Sequence, residues 1–346
     1  LTVPGVGPKP CKIMFVAESP GKEEDEAELP LVGSSGRLFN QTLSLVGISR
    51  PSCYITNVIQ ERPPNNDILK FCVGKKDLPP TYLYSPLAKG KYLHPDYLSS
   101  LPRLAKEIRE ANPNVIVAMG NLSTWALLGA VGISKIRGAV AACSLVSGKK
   151  VIPTYHPAFV LRAWHERITF NMDLQKALRE SEFPEIRREE RVVAIEPDLQ
   201  DIRNWITENH DAEIISADIE TADGFITCIS FAASRSSSIV VPFRDMRKSD
   251  GNYWADIDSE ICAWKLVEEI LCLPGQKLFQ NGCYDLQYIF RAGLKVSNCT
   301  ADTMLLHHSL YPEMKKSLGY MGSLYCNEAS WKLMHRRSGE ELKKEE

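Results

Sequence analysis

Two groups of side chains in this sequence have the types and spacing for chemistry. Asp218-Ile219-Glu220-Thr221 lies in an alternating apolar run, so its two carboxylates share one face of a strand, where such a pair can hold a divalent metal ion. Asn281-Gly-Cys-Tyr284-Asp285 adds a third carboxylate at a helix start, and Asp302-Thr303-Met304-Leu305 opens a further helix. The second group is spread over the first half of the chain. Glu18-Ser19-Pro20-Gly21, the stretch from Gln60 to Asn66, Asn121-Leu-Ser-Thr124 and His156-Pro157-Ala158 each follow a short β-branched apolar run. Every one of these pieces also has an ordinary structural reading. The acids from Glu23 to Glu28 suit a solvated helix start, an Asn at a strand end suits a turn, His-Pro suits a turn, and Asp-x-Glu suits a charged strand edge.

The elements that must position these residues are visible as periodicity. Runs at 12–17, 53–58, 115–120 and 151–156 alternate with helical stretches, the pattern of a parallel sheet covered by helices on both faces. Ligands of such a sheet sit at the carboxyl ends of the strands, which sends the four loops to one edge. Residues 67–100 lack periodicity and read as an insertion or long loop. The charged segment 180–191 reads as a helix end running into a linker, with a domain boundary near residue 190. Beyond it, β-runs at 214–219, 226–232 and 238–242 form an antiparallel meander followed by helices at 257–272 and 285–292, the order of a ribonuclease-H-like mixed-sheet core.

Bulk properties agree with two α/β domains, 1–190 and 191–346. A chain of 346 residues that is 44% hydrophobic can bury two cores. Its ten cysteines contain no C-x-x-C pair and read as mostly free, buried thiols in a reducing compartment. No run approaches the roughly 18 apolar residues of a membrane span, and the start lacks the layout of a signal peptide, so no membrane partner and a cytoplasmic location are expected. Residues 1–190 carry 24 Lys+Arg against 19 Asp+Glu, a net of +5, whereas the remainder carries 17 against 24, a net of −7. The front can offer a basic face to phosphates, and the acidic back suits a carboxylate metal site. A first residue of Leu and a final EELKKEE read as a fragment of a longer protein.

Ala17-Glu18-Ser19-Pro20-Gly21-Lys22-Glu23-Glu24-Asp25 followed by Pro30-Leu31-Val32-Gly33-Ser34-Ser35-Gly36-Arg37-Leu38 resembles the signature of family 4 uracil-DNA glycosylases. Thr56-Asn57-Val58 with Arg62-Pro63-Pro64 and Asn66, and Tyr155-His156-Pro157-Ala158 with Leu161-Arg162, resemble that family's second and third motifs. The resemblance covers about residues 1–180 and implies a three-layer α/β/α domain acting on single-stranded or uracil-containing DNA. It implies that Asn57 pairs with uracil N3–H and O4, that His156 donates to uracil O2 as charge develops there, and that Glu18 and Glu24 orient water or stabilise a cationic sugar. Pro20, Gly21 and Gly33 would line the substrate with Asn66, and Phe159 or Leu161 would wedge into the gap left by the flipped base. Three departures stand out. Leu31 replaces the aromatic stacking platform. Ser19 stands where related family 1 enzymes keep a water-activating Asp, and the cluster cysteines expected near 61 and 100 are Glu61 and Ser100 or Leu101, so no iron–sulfur cluster is expected.

From about residue 192 the motifs Asp218-x-Glu220, Asn281 to Asp285, Asp302 to Leu305, and Ser317-Leu318-Gly319-Tyr320 to Leu324-Tyr325 resemble the 3′–5′ proofreading exonuclease domain of family A DNA polymerases. This implies Mg²⁺ or Mn²⁺ held by Asp218, Glu220 and Asp285, with the last metal-binding motif of the family falling past residue 346, so exonuclease activity from these residues alone is expected to be feeble or absent. The two resemblances together imply the N-terminal part of a polymerase of phage type, its polymerase domain following in the same chain. A catalytically inactive tether that binds DNA or uracil and positions the polymerase is the alternative.

Overall fold

The structure, a computed structural model, describes residues 2–188 and 190–326. The leading domain begins with β1 (Ile13–Ala17), α1 (Lys22–Ala27), α2 (Gly33–Val46) and β2 (Tyr54–Asn57). The stretch expected to be an insertion carries a short antiparallel pair, β3 (Cys72–Val73) and β4 (Tyr92–Leu93). It is followed by α3 (Ser100–Ala111), β5 (Val115–Met119), α4 (Asn121–Leu128), α5 (Ile133–Ile136), β6 (Ala141–Ala142), β7 (Lys150–Thr154), α6 (Pro157–Arg162) and α7 (Arg167–Glu180). The sheet order is β2-β1-β5-β7-β6, parallel except for the edge strand β6.

Strands buried on both faces need apolar residues at every position, which is why β1 reads Ile-Met-Phe-Val-Ala without alternation. Met14 and Val16 join one core with α3 and α4 residues such as Leu104, Ile108 and Trp125, while Ile13, Phe15 and Ala17 join another with Phe39, Leu43, Phe170 and Leu174 of α2 and α7. The expected three-layer α/β/α arrangement is present. All ten cysteines are free, but the expectation of buried thiols needs correction: Cys53 and Cys143 are buried, whereas Cys272, Cys283, Cys299 and Cys326 are exposed. Cys272 and Cys283 lie at helix ends, Cys299 opens a strand at the edge of its sheet and Cys326 follows a helix.

The second domain runs β8 (Val192–Ala194), α8 (Leu199–Glu208), β9 (Ile214–Ala222), β10 (Phe225–Ala232), β11 (Ser237–Pro242), α9 (Ile257–Cys272), β12 (Gln276–Phe279), α10 (Cys283–Arg291), β13 (Cys299–Asp302) and α11 (Thr303–Leu310). Its sheet order β13-β12-β9-β10-β11-β8 places the antiparallel meander β9-β10-β11 beside the parallel β12 and β13, the ribonuclease-H-like order. Ile215, Ala217 and Ile219 face the core, and Asp218 and Glu220 project from the other face of β9.

Contacts divide the chain into residues 188–318 and a unit that joins the first 187 residues to a returning segment from 319. Expecting the second domain to run to the end of the chain therefore misses a helix, α12 (Leu318–Tyr325), whose residues from Gly319 pack within the first unit. The remainder of that expectation, 327–346, lies outside the described residues. A buried polar cluster holds the helix. Arg137 and Asp173, each 1% exposed at the side chain, form an ion pair, and Arg137 Nη1 also donates to Ser323 Oγ at 3.1 Å. Lys176 Nζ donates to the carbonyls of Gly138 (2.9 Å), Ser323 and Cys326 (2.8 Å). Burial pushes the Lys176 ammonium down to about 8. Thr169 gives its hydroxyl proton to Glu166 at 2.9 Å, so the 2.6 Å contact with Tyr320 is donated by the tyrosine. Gly138 has φ +74°, and a Cβ there would lie 2.8 Å from the Ser323 carbonyl, so only glycine admits the helix at this distance.

Removing one partner of a buried ion pair strands the other charge, at a cost of about 3–5 kcal/mol. Asp173→Ala should lower the unfolding free energy of the first unit by that amount, read as a lower urea midpoint at unchanged slope, and release the amides of 319–326 to rapid hydrogen exchange. Tyr320→Phe, which loses one neutral hydrogen bond, should cost about 1 kcal/mol.

Candidate functional site

Parallel pairing fixes where the front-half side chains meet. Ala17 is in register with Asn57, Val16 with Ala118, and Met119 with Thr154, so Glu18, Asn57, Gly120 and Tyr155-His156 all leave the sheet at its carboxyl edge. The ladder continues past the strands, with Val58 N donating to Ala17 O at 2.9 Å and Ile59 N to Glu18 O at 3.1 Å. A cavity of about 630 Å³ opens at this edge, within the size range of small-ligand sites. Glu18, Pro20, Gly21, Glu24, Gly33, Asn66 and His156 all line it.

Glu18 is anchored by its Oε1, which accepts from Leu122 N in the first turn of α4 at 3.0 Å, where the helix end favours negative charge. Gly120 makes this possible. Its φ is +98°, and a Cβ would sit 2.5 Å from Glu18 Oε1. His156 caps α6, its Nδ1 accepting from Ala158 N at 3.1 Å. An accepting Nδ1 leaves the proton of a neutral imidazole on Nε2, which is therefore the available donor. Burial holds the His156 pKa below its ordinary value, the nearby Glu18 carboxylate opposes that, and Arg162 reinforces it.

Glu24 is spent largely on structure. It is 7% exposed, and its Oε2 accepts from Gly21 N at 2.5 Å, closing the loop before α1. Burial raises its pKa, against backbone N–H groups of Gly21, Leu31 and Val32 that lower it. Leu31 and Asn57 do not line the cavity. Leu31 is 1% exposed and packs into the core with Phe39 and Tyr155, so no side chain stands at the cavity wall from that position. Asn57 is 2% exposed, and its Nδ2 has no hydrogen-bond partner among the described residues. Phe159, 37% exposed, lines the cavity and packs its ring 4.9 Å from that of Tyr155. Leu161 is also exposed.

Sequence reasoning passed over the residues that hold the loops. Arg50 donates to the carbonyls of Pro30 (2.8 Å) and Leu31 (3.0 Å) and to Asn40 Oδ1 (2.6 Å), pinning the turn before Gly33. Nothing in its local pattern, an Arg-Pro after a helix, announces this. Gly120 was legible as a glycine closing a strand, but its service to Glu18 was not.

The residues at the expected cluster positions do not fit a four-cysteine cluster. Glu61 is exposed and bridges to Thr2, the Ser100 hydroxyl donates to Tyr97 O at 2.5 Å, and Leu101 is buried in the core.

In the second domain Asp285 is 4% exposed and its Oδ1 accepts from Ile219 N, between Asp218 and Glu220, at 3.0 Å. Burial pushes its pKa up to about 6, with Asp218 and Asp302 adding to the effect against the Ile219 N–H. The Asp218 pKa is raised by burial and by Glu220. Asp302 caps α11 and holds the Asn281-Gly282 turn, with Oδ2 accepting from Gly282 N at 2.7 Å. The donor chemistry suits a hard cation, though among the described residues no three His, Cys, Asp or Glu side chains are close enough to form a complete metal site. No helix among the described residues is long and apolar enough to cross a membrane.

A family model for the uracil DNA glycosylase superfamily matches residues 4–181. The type-4 uracil-DNA glycosylase of Archaeoglobus fulgidus is 33% identical over 180 residues, covering 50% of this chain and 79% of that protein. A DNA polymerase of Bacillus phage SP01 is 26% identical over 171 residues, 49% of this chain but 16% of that one. The catalytic core of RRP6 from Trypanosoma brucei aligns at a TM-score of 0.31 and 16% identity, over 40% of this chain and 36% of its own.

The raised Asp285 pKa fixes a pH dependence. An unfolded Asp titrates near 4, so the folded carboxyl binds a proton that the unfolded chain does not between about pH 4 and 6, and at pH 7 its ionisation in the fold carries the full penalty. Allowing for screening by solvent at the Asp218 side, that penalty is on the order of 1–3 kcal/mol. In metal-free buffer Asp285→Asn, which keeps the acceptor for Ile219 N, should raise the urea midpoint of the second domain at pH 7. The gain should fade as pH falls through 6 and vanish near 4.

Proposed function

Because this chain belongs to the uracil DNA glycosylase superfamily, we propose that its leading domain hydrolyses the N-glycosidic bond of uracil in DNA. The observation that carries the reading is the joint presence of Glu18 and the Nε2–H of His156 on one cavity at the carboxyl edge of the sheet. A base must leave the stack to reach such a cavity, at a cost of a few kcal/mol that contacts inside have to offset. His156 Nε2–H would donate to uracil O2 as the C1′–N1 bond breaks and negative charge develops there. Glu18, held by Leu122 N, would orient the attacking water or stabilise the cationic sugar. Asn57 would present its unpaired Nδ2 and its carbonyl to uracil O4 and N3–H. Pro20, Gly21, Gly33 and Asn66 would border the nucleotide, and Phe159 or Leu161 would fill the vacated stack.

The second domain extends the reading to a metal-dependent 3′–5′ exonuclease in the N-terminal part of a cytoplasmic, phage-type family A polymerase. Asp218, Glu220 and Asp285 would hold Mg²⁺ or Mn²⁺, which when bound supplies a polarised water and stabilises the leaving 3′ oxygen. Burial raises both the Asp218 and the Asp285 pKa, with Glu220 adding at Asp218 and Asp218 and Asp302 adding at Asp285, which supports a site that gains from a cation.

A second reading, an inactive tether that binds DNA or uracil, is favoured by one observation: Asn57 and Leu31 do not line the cavity. Incubation with a uracil-containing single strand followed by alkali separates the two. Strand breaks that drop by about 100-fold or more in His156→Ala, and strongly in Asn57→Ala, support catalysis; tight binding with no breaks establishes the tether. Gly120→Ala should push Glu18 off Leu122 N and slow cleavage while leaving affinity for the strand near normal. Equal rates for Gly120→Ala and the parent chain would remove Glu18 from the mechanism.

A further inference from the structure

Where relatives with cysteines at positions 61 and 100 would tie the loop after β2 to α3 through a cluster, this chain has a hydrogen-bonded clamp centred on Arg103. In the first turn of α3, Arg103 Nη2 donates to the carbonyls of Asn57 at 2.7 Å and Val58 at 2.6 Å, and Nη1 donates to Glu107 Oε1 at 2.7 Å. Glu107 also accepts from Gln60 Nε2 at 3.3 Å, and the Gln60 carbonyl accepts from Val3 N at 2.8 Å. Thr2 pairs with Glu61 alongside. One arginine thus fastens the end of β2 to α3, and its partners carry the link to the N-terminal stretch.

We infer that Arg103 is the positioning residue for Asn57, and that the Arg103–Glu107–Gln60 network performs in this chain the fastening that a cysteine-bound cluster would perform at 61 and 100. The inference rests on the proposed role of Asn57 as the reader of the base. The Asn57 Nδ2 has no partner of its own among the described residues, so the side chain does not hold itself in place. Its direction is set by the packing around it, at 2% exposure, and by the backbone that carries it. A guanidinium is a planar fork that stays charged, and here a single nitrogen grips two consecutive carbonyls while the other is braced by a carboxylate. That fixes the peptide plane between Asn57 and Val58 more tightly than strand pairing alone, because among the described residues the outer side of β2 meets a bridge from Val6 at Ile55, two residues short of Asn57, and β1 pairs it on the inner side. A lysine at 103 would keep the charge and lose the fork.

The test combines hydrogen exchange with base discrimination, using the full chain and its Arg103→Lys and Arg103→Met variants. The Val58 and Ile59 amides, which extend the ladder to Ala17 and Glu18, should exchange at least about tenfold faster in Arg103→Met, while β5 and β7 keep their protection as the internal control for folding. Arg103→Lys should restore stability but only part of that protection. On strands carrying uracil or cytosine at one position, the preference for uracil should fall about tenfold or more in both variants, an effect that mere loosening of the fold would not produce. Unchanged exchange at 58 and 59 in both variants, or an unchanged preference for uracil, would overturn the assignment of Arg103. Stoichiometric iron and sulfide with visible absorption in chain purified without oxygen would overturn the replacement of the cluster. Absence of cleavage by the parent chain would count against the glycosylase reading, and the exchange data would still decide the inference.

Discussion

The parallel register of β1, β2, β5 and β7 is the constraint on which the candidate site depends. Side chains alternate along a strand, so a slip of one residue between β1 and β2 would turn Asn57 to the other face and separate it from the ladder that continues through Val58 and Ile59. The apolar filling of β1 on both faces resists such a slip, because the residues on its two sides belong to different cores. Register, set by packing far from the cavity, therefore determines which loop residues can share it.

Register brings the loops to one edge but does not hold their shape, and here charged side chains take over. Arg50 grips two carbonyls of the Pro30-Leu31 turn, Glu24 grips Gly21 N, and Arg103 grips two carbonyls at the end of β2. Each is a charge-assisted bond to the backbone and stronger than a neutral one. The buried cluster around Arg137, Asp173 and Lys176 uses the same principle to seat α12 on the first unit. Burying these charges is costly in isolation, and the cost is offset only because nearly every donor meets an acceptor. A rigid cavity rim is the return.

How much of this was legible in the sequence depended on the range of the interaction. The expected strand runs, the Asp-x-Glu face of β9 and the meander that follows are local patterns, and they stand where periodicity put them, to within three residues, whereas the short strands β8, β12 and β13 left no such pattern. Glu18, Glu24 and His156 were recognisable from motifs that each follow a strand, and all three line the cavity. Asn57 and Leu31 came from the same motifs, yet both are buried away from it, since whether a strand-end side chain points into a pocket or behind it is decided by tertiary packing. The return of α12 joins residues 147 to 186 positions apart and leaves no periodic trace. Arg103 and Arg50 are surface-type residues in ordinary contexts, and only the positions of distant carbonyls give them a role.

The two candidate sites treat their carboxylates in opposite ways, and the difference bears on what each is built to meet. Glu18 is received by the N-terminal turn of a helix, a partly positive surrounding that accepts a charge without any ligand. Asp285 is buried against a strand, where its Oδ1 accepts from Ile219 N, and burial pushes its pKa up to about 6 with smaller contributions from the charges of Asp218 and Asp302. A fold that needed Asp285 only as an acceptor for Ile219 N would be served better by an amide, which bears no charge. Retaining an acid whose ionisation opposes folding makes physical sense where a positive charge is to be bound, since a cation adds an attraction to each carboxylate that offsets both the burial and the repulsion. The buried, crowded carboxylates of the second domain are therefore compatible with the proposed metal-dependent reading, whereas the first domain's self-sufficient anchoring of Glu18 suits a site whose incoming partner is a neutral base.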